Sequence, residues 1–286
     1  MSKRLLLVPL LAVALTACGS SSSSSSSSGS SSAKPTANAC TKDKLAVKSS
    51  GTLTVGTDKP AYPPYFADND PTNGKGFESA VAYAVAKQLG FAPSQVTWKT
   101  VPFNASYAPG SKDFDFDINE ISITPKRAKR VDFSSSYYTA PQAVVALKSS
   151  KAASATSLAD LKSAKLGVQL GTTSLDAITQ TVKPTSQPQV FNDSNDTVRA
   201  LKIARVDAIV VDLPTAFYIT AAQVPSAKIV GKFDAPGGDS WGLLAEKGSK
   251  LTGCLTRAVD TLKANGTLNR LTERWMGGKA GAPTLG

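Results

Sequence analysis

Hydroxyl groups and an arginine lie close together where a predicted strand ends and a short helix begins. Ser122 and Thr124 precede Pro125, and Arg127 follows within the first turn. Thr at the N-cap and Pro at the first helical position are typical of a helix start, where free backbone N–H groups favour an anion. Arg127 adds a cation that can pair with a carboxylate. The alternative is a capped surface helix with a solvated basic face.

A second polar turn, Gly171-Thr172-Thr173, lies between another predicted strand and a helix. Glycine allows close approach of the backbone, and the two hydroxyls suit an oxyanion. An ordinary N-cap explains the same pattern equally well.

Two carboxylates follow apolar strands. Asp212 ends the run Ala208 to Val211, and Asp58 follows Val55-Gly56-Thr57. Each could receive an ammonium group or cap the next helix. Open α/β sheets bind ligands beyond the carboxyl ends of their strands. The two turns and the two carboxylates together therefore predict a site for a zwitterion.

The composition narrows the function classes. The chain has no histidine, which removes Ser-His-Asp and Cys-His catalysis and most zinc sites. We therefore expect a binding protein rather than an enzyme, with no metal and no cofactor. The formal net charge is +11, but no basic run is interleaved with aromatic residues, so no nucleic-acid partner is expected.

The N-terminal residues predict export. Lys3 and Arg4 precede the apolar run Leu5 to Leu15, as in a secretory signal peptide over residues 1–17. Leu15-Thr16-Ala17-Cys18 resembles the lipobox of bacterial lipoproteins, which predicts lipidation of Cys18 and an anchor on the extracytoplasmic face of the cell membrane. Ordinary secretion is the alternative. The serine tract after Cys18 predicts a flexible tether over residues 18–45.

Cysteine usage agrees with an oxidising compartment. If Cys18 is lipidated, Cys40 and Cys254 remain as a pair. A disulfide between them would close a very long loop, worth about 4–5 kcal/mol on the chain-entropy model. Two free buried thiols are the alternative.

Short β-type runs alternate with helix-type segments from about residue 50 onwards, which predicts an α/β fold with largely parallel sheets. The predicted strands are 53–56, 96–98, 116–118, 143–147, 166–170, 208–211, 228–230 and 241–245. The predicted helices are 77–89, one from 125, one from 174, 197–205, 215–222, 251–265 and 267–275.

These motifs resemble, in order, the family 3 extracellular solute-binding proteins, the amino-acid receptors of bacterial ABC importers. The resemblance covers roughly residues 50 to 276, and its most specific stretch is Phe116 to Arg127. The other matching motifs are Gly56-Thr57-Asp58 with Tyr62 and Pro64, Gly76-Phe77-Glu78, Val131-Asp132-Phe133-Ser134 with Tyr137-Tyr138, Val168 to Thr173, Val206-Asp207-Ala208 with Asp212, and Gly266-Thr267-Leu268 to Trp275.

The resemblance implies a role for each site residue. Positions matching Ser122, Arg127 and Thr173 hold the α-carboxylate of the ligand, and the position of Asp212 takes its α-ammonium. Asp58, Tyr62 and Phe103 would surround the ligand's side chain. The predicted ligand-binding set is Asp58, Tyr62, Phe103, Asn119, Glu120, Ser122, Arg127, Thr172, Thr173 and Asp212.

Two departures from the family pattern bear on this set. An acidic residue usual near Ala80 is missing. Asn119 and Glu120 stand where small residues are common, and Glu120 would either attract a cationic group or point away.

The family fold is the two-lobed periplasmic-binding-protein fold, with a mostly parallel sheet and flanking helices in each lobe and two hinge strands. It implies lobe one over residues 46–142 and 238–286 and lobe two over 143–237, with crossings near Ala140 to Val145 and Phe233 to Trp241. The implied partners are a polar amino acid and an ABC permease, with the protein a monomer.

Two other functions use the same fold. An exported cyclohexadienyl-dehydratase-like enzyme would need a placed acid or base such as Glu120. An amino-acid-sensing lipoprotein would use the pocket without transport.

Overall fold

The computed structural model describes residues 40–277 and 281–286. The predicted signal peptide, Cys18 and the tether up to residue 39 lie outside these ranges. Within them, no helix has the length and apolar character needed to cross a bilayer.

The first sheet has five strands in the order β2-β1-β3-β10-β4. These are β1 (Leu53–Thr57), β2 (Val96–Thr100), β3 (Phe116–Asp117), β4 (Val131–Thr139) and β10 (Ser240–Glu246). The helices of this half are α1 (Phe77–Gln88), α2 (Phe103–Ser106), α3 (Pro125–Ala128), α7 (Thr252–Ala264) and α8 (Thr267–Met276). We call this sheet and its helices the first lobe.

The second sheet also has five strands, in the order β7-β6-β8-β5-β9. These are β5 (Gln142–Leu147), β6 (Leu166–Gln169), β7 (Gln189–Phe191), β8 (Ala208–Asp212) and β9 (Ala227–Phe233). Its helices are α4 (Thr173–Ala177), α5 (Ser194–Lys202) and α6 (Leu213–Tyr218). This sheet and its helices form the second lobe.

The chain passes between the two sheets twice, through residues 140–141 and again through residues 234–239. Each passage delivers a strand that runs against its neighbours, namely β5 in the second sheet and β10 in the first. Two of the four pairings in each sheet are consequently antiparallel. The expected fold of two lobes, each a sheet flanked by helices, is confirmed, with both sheets mixed rather than mostly parallel.

Each lobe has its own apolar core. In the first, α1, α7 and α8 cover the sheet, and the fully buried ring of Trp241 contacts those of Tyr65 and Tyr138 at centroid distances of 5.6 and 4.8 Å. In the second, two apolar clusters cover the two faces of the sheet, and Val144 and Val145, consecutive in β5, belong to different clusters. Neighbouring residues of a strand point to opposite faces, so β5 is buried on both sides.

The two ends of the described chain differ from the expected lobe assignment. Cys40 and Leu45, expected in the tether, pack against the first core, and Cys40 forms a disulfide with Cys254 of α7. Residues 281–286, expected in lobe one, lie instead on the second lobe. There the N–H of Lys232 in β9 donates to the carbonyl oxygen of Pro283 at 2.7 Å, and Leu285 is buried in the second core. The tail thus pairs with the edge of β9, the last strand of the second sheet. The apolar periodicity that predicts helices does not reveal this pairing.

Candidate functional site

All ten residues of the predicted set line one cleft between the two sheets. Its empty volume is about 1040 Å³, part of it open to solvent. Seven of the residues belong to the first lobe, and Thr172, Thr173 and Asp212 belong to the second. A ligand in this cleft would touch both lobes.

Within the described part of the chain, four hydrogen bonds join the two lobes across the cleft. The Tyr65 and Thr215 hydroxyls share one at 2.8 Å, and those of Ser122 and Thr173 share another at 3.3 Å. The carbonyl oxygen of Gly171 in the second lobe accepts the other two, from Nη2 of Arg127 and the hydroxyl of Tyr107 in the first lobe. The structure is therefore a closed form.

The hydroxyls of Ser122 and Thr124, near the start of α3, have different roles. Thr124 is the N-cap and accepts the N–H of Arg127 at 3.2 Å, which confirms the predicted helix start. Ser122 is thereby left free to face the cleft, where its hydroxyl donates to Asp239 Oδ1 at 3.1 Å. The cap and the cleft residue are therefore different, and the alternative of a solvated basic face is wrong for Arg127, which is buried, whereas Lys126 is exposed.

Arg127 is 6 % exposed and is fixed from three sides. Its Nη1 donates to Ser122 O at 2.9 Å and its Nη2 to Gly171 O at 3.0 Å. The rings of Tyr107 and Phe103 lie 4.6 and 5.5 Å from its Cζ. Burial lowers the pKa of the guanidinium, although it stays cationic at neutral pH. A guanidinium has five N–H donors, so these two bonds leave others for an anion.

Gly171 lies at the closest approach of the two lobes. Its φ is +76°, and a Cβ at this position would overlap Asn104 Oδ1 and Tyr107 Oη of the first lobe. Thr172 beside it is the N-cap of α4, donating to Gln169 O at 2.9 Å and accepting the N–H of Leu175 at 3.4 Å. Because capping occupies the Thr172 hydroxyl, Thr173 offers the freer of the two.

Asp212 does not cap α6, since its side chain makes no hydrogen bond to that helix. Gln142 Nε2 instead donates to Asp212 Oδ1 at 2.6 Å and to Asp239 Oδ2 at 2.7 Å. Burial, followed by the charge of Asp239, raises the pKa of Asp212 to about 8. A cation bound beside Asp212 would offset both the cost of burying its charge and the repulsion from Asp239.

Glu120 lines the cleft and is joined to a buried carboxyl behind it. Its backbone has φ +48°, a strained value that fits the small residues usual at this position. Its N–H donates to Glu78 Oε1 at 2.8 Å, and the Tyr137 hydroxyl donates to the same oxygen. Burial raises the pKa of both carboxyls, that of Glu120 well above its usual range. The charge of Glu78 raises the pKa of Glu120 further.

The remaining residues surround the other part of the cleft. Asp58 accepts the N–H of Lys59 at 2.7 Å and that of Phe103 at 3.2 Å, yet burial still raises its pKa. Burial also raises the pKa of Tyr62 to about 12. Asn119 is 7 % exposed, and its Nδ2 has no hydrogen-bond partner among the described residues. That amide is a donor without an acceptor, which is costly unless a ligand supplies one.

Sequence reasoning missed several residues that support the site. Gln142 is the first residue of β5 and follows the first passage between the lobes, Asp239 ends the second passage, and Asn104 and Tyr107 cover Gly171. The one available signal was the carboxylate that ends the turn Pro236-Gly237-Gly238-Asp239. No local pattern predicts a partner 97 residues away, which is the separation of Gln142 and Asp239.

Comparison with known proteins gives a consistent result. The sequence model of the family "Bacterial extracellular solute-binding proteins, family 3" matches residues 53–278. The L-cystine-binding protein TcyJ of Escherichia coli K12 is 31% identical over 233 residues, covering 81% of this chain and 85% of the relative. The arginine-binding extracellular protein ArtP of Bacillus subtilis 168 is 30% identical over 283 residues, covering 96% and 97%. The solved structure of an ancestral arginine-binding protein bound to arginine is 36% identical with a TM-score of 0.67, covering 79% of this chain and 99% of that one.

Proposed function

The chain belongs to the bacterial extracellular solute-binding proteins of family 3, and we propose that it captures a polar amino acid between its lobes and delivers it to the permease of an ABC importer. One observation carries the assignment to this cleft. Arg127 of the first lobe and Asp212 of the second line the same cavity, and the charge of each affects the pKa of the other. A zwitterion has one group for each.

The α-carboxylate is received by Arg127, with the Ser122 and Thr173 hydroxyls as further donors. These two hydroxyls lie 3.3 Å apart across the cleft, so an oxygen within hydrogen-bonding distance of both would contact both lobes. The α-ammonium is received by Asp212. Gln142, whose amide also donates to Asp239, holds that carboxylate in place from behind.

Transport follows from the division of the site between the lobes. A ligand shifts a conformational equilibrium only by the difference in its affinity for the two states. Because its carboxylate contacts the first lobe and its ammonium the second, the ligand binds the closed form more tightly than an open one. The closed, loaded form is then the one that the permease recognises.

The proposal extends to the N-terminus and to the state of the protein. Residues 1–17 direct export, Cys18 carries the lipid that anchors the protein at the extracytoplasmic face, and the monomer acts alone. Family membership supports an extracytoplasmic location. The lipobox-like sequence supports the anchor, and the Cys40–Cys254 disulfide fits an oxidising compartment.

We further propose that the protein is not an enzyme, as the names of its relatives describe binding proteins. The test is a thermal-shift panel over the amino acids. A ligand at a 100-fold excess over its Kd stabilises the folded state by about 2.7 kcal/mol. Failure of every amino acid to raise the melting temperature would contradict the binding function. Turnover of a prephenate-like acid on incubation would support the dehydratase instead.

A further inference from the structure

We infer that the bound amino acid has a positively charged side chain, received by the carboxylates Asp58 and Glu120 at the part of the cleft that the α-groups leave free. This inference rests on the proposed function and specifies the ligand of the same site.

The formal net charge of the side chains that line the cleft is opposite in sign to the net charge of the whole chain. The chain has a formal net charge of +11. Yet among the described residues the cleft is lined by three carboxylates, Asp58, Glu120 and Asp212, against the single cation Arg127, and no lysine lines it. The local excess of negative charge is therefore a property of the site and not of the composition.

A zwitterion does not correct this imbalance. Its carboxylate offsets Arg127 and its ammonium offsets Asp212, so its two α-groups add no net charge. Asp58 and Glu120 then remain without a cation inside a cavity from which the ligand has displaced water. Buried carboxylates without a partner are costly, and a cationic side chain provides that partner.

Groups behind the lining add negative charge to this part of the cleft. Glu78 is fully buried behind Glu120, and its Oε2 has no hydrogen-bond partner among the described residues. Asp193 on the second lobe raises the pKa of both Asp58 and Tyr62 of the first lobe, after burial as the main cause. The charge of Asp193 thus adds to the negative potential at Asp58, which a cation placed there would offset.

Glu120 lines the cleft and is therefore accessible to such a cation. After burial as the main cause, the charges of Glu78, Asp212 and Asp58, all of the same sign, raise its pKa. A ligand cation would favour the ionised form of Glu120 and so strengthen its own pairing. The Tyr62 ring lines the same cleft and offers a face of the kind that guanidinium and ammonium groups contact.

The test compares L-arginine with L-citrulline by titration calorimetry on the full folded domain at pH 7. The two ligands have nearly the same shape, but citrulline has a neutral ureido group in place of the guanidinium. We expect arginine to bind at least about tenfold more tightly, as for a charge-assisted contact. Equal or tighter binding of citrulline would overturn the inference, as would a panel in which only neutral amino acids bind. Both results would leave the proposed function standing, whereas an absence of any amino-acid binding would remove it.

Two variants locate the source of the preference. Asp58→Asn and Glu120→Gln keep the shape of each side chain and remove its charge. We expect at least one to reduce the arginine-to-citrulline ratio several-fold. Asp176→Asn makes the same charge change on an exposed residue outside the cleft lining and should preserve the ratio. The ligand-free melting temperature checks that each variant is folded. An unchanged ratio in both cleft variants would overturn the assignment.

Discussion

The carbonyl oxygen of Gly171 accepts a hydrogen bond from Nη2 of Arg127 at 3.0 Å, although the two residues belong to different lobes. The group proposed to hold the ligand's carboxylate is therefore also a group that holds the lobes together. Tyr107 donates to the same oxygen at 3.2 Å. Ligand binding and closure consequently share one set of atoms.

Arg127→Ala should weaken amino-acid binding by at least about 2–3 kcal/mol, because a charge-assisted donor is lost and a buried carboxylate is left unpaired. Titration calorimetry with the ligand from the panel measures the loss. Lys126→Ala is the matched control, since Lys126 is exposed and does not line the cleft. Wild-type affinity in the Arg127 variant would refute the carboxylate assignment.

Gly171→Ala should prevent full closure, because the new Cβ would overlap Asn104 Oδ1 and Tyr107 Oη at a backbone conformation that disfavours alanine. We expect a loss of the ligand-induced decrease in the radius of gyration measured by small-angle X-ray scattering. Adding Asn104→Ala and Tyr107→Phe removes the overlapping oxygens and should partly restore the decrease. A normal decrease in the single variant would show that the lobes need not approach this closely.

Asp212→Asn should abolish binding and yet stabilise the ligand-free protein at pH 8. The pKa of Asp212 is about 8 in the folded state against an ordinary value of 3.8, so the folded protein binds more protons between these values. Its contribution to the free energy of unfolding therefore decreases as pH rises through that window. Because the cleft is partly open to solvent, we expect an effect on the order of 1–2 kcal/mol.

Chemical denaturation of the wild type and the Asp212 variant at pH 5 and pH 8 measures this effect. The gain in stability should be larger at pH 8. A variant that is less stable than the wild type at pH 8 would show that Asp212 is ionised and well compensated in the ligand-free protein.

Replacing both Cys40 and Cys254 by serine should lower the free energy of unfolding by about 5 kcal/mol on the chain-entropy model, because the disulfide closes a loop with a sequence separation of 214. Affinity should be retained, since neither residue lines the cleft. Denaturant melts with and without reductant provide the measurement, and the reduced wild type should match the double variant. Insensitivity of the wild type to reductant would mean that the bridge is absent in solution.

Cys18→Ser should release the protein from the membrane. A serine hydroxyl does not substitute for the thiol that receives the lipid, so the variant should fail to incorporate labelled fatty acid in cells. Membrane fractionation and labelling measure the two effects. Unchanged labelling would place any lipid on another residue.

The sequence was a good guide wherever the physical cause is local. Helix α1 begins at Phe77 as predicted, because Gly76 has φ +97° and its missing Cβ allows the backbone of Tyr65 to approach. The turn at Thr124 and Pro125 and the strand that ends at Asp212 were likewise predicted from spacing and apolar runs. Helix α5 begins at Ser194, three residues before the predicted start, because Asp193 is its cap.

The rest depends on contacts between distant segments. The antiparallel strands arise from the two passages between the lobes, and neither passage has a periodicity that indicates its direction. The pairing of Glu78 with Glu120 joins positions 42 residues apart. The burial of Leu285 against Gly231 joins the chain's last residues to a strand that precedes the second passage. Such pairings follow from the assembled fold alone.

The disulfide between Cys40 and α7 also determines how a mechanical load would enter the molecule. A pull on the residues that precede Cys40 passes through the two sulfur atoms into α7, which packs on β4 of the first lobe. Both passages to the second lobe lie within the chain segment that this bond closes. The second lobe therefore stays out of the line of tension, and a force applied at Cys40 would reorient both lobes together without opening the cleft.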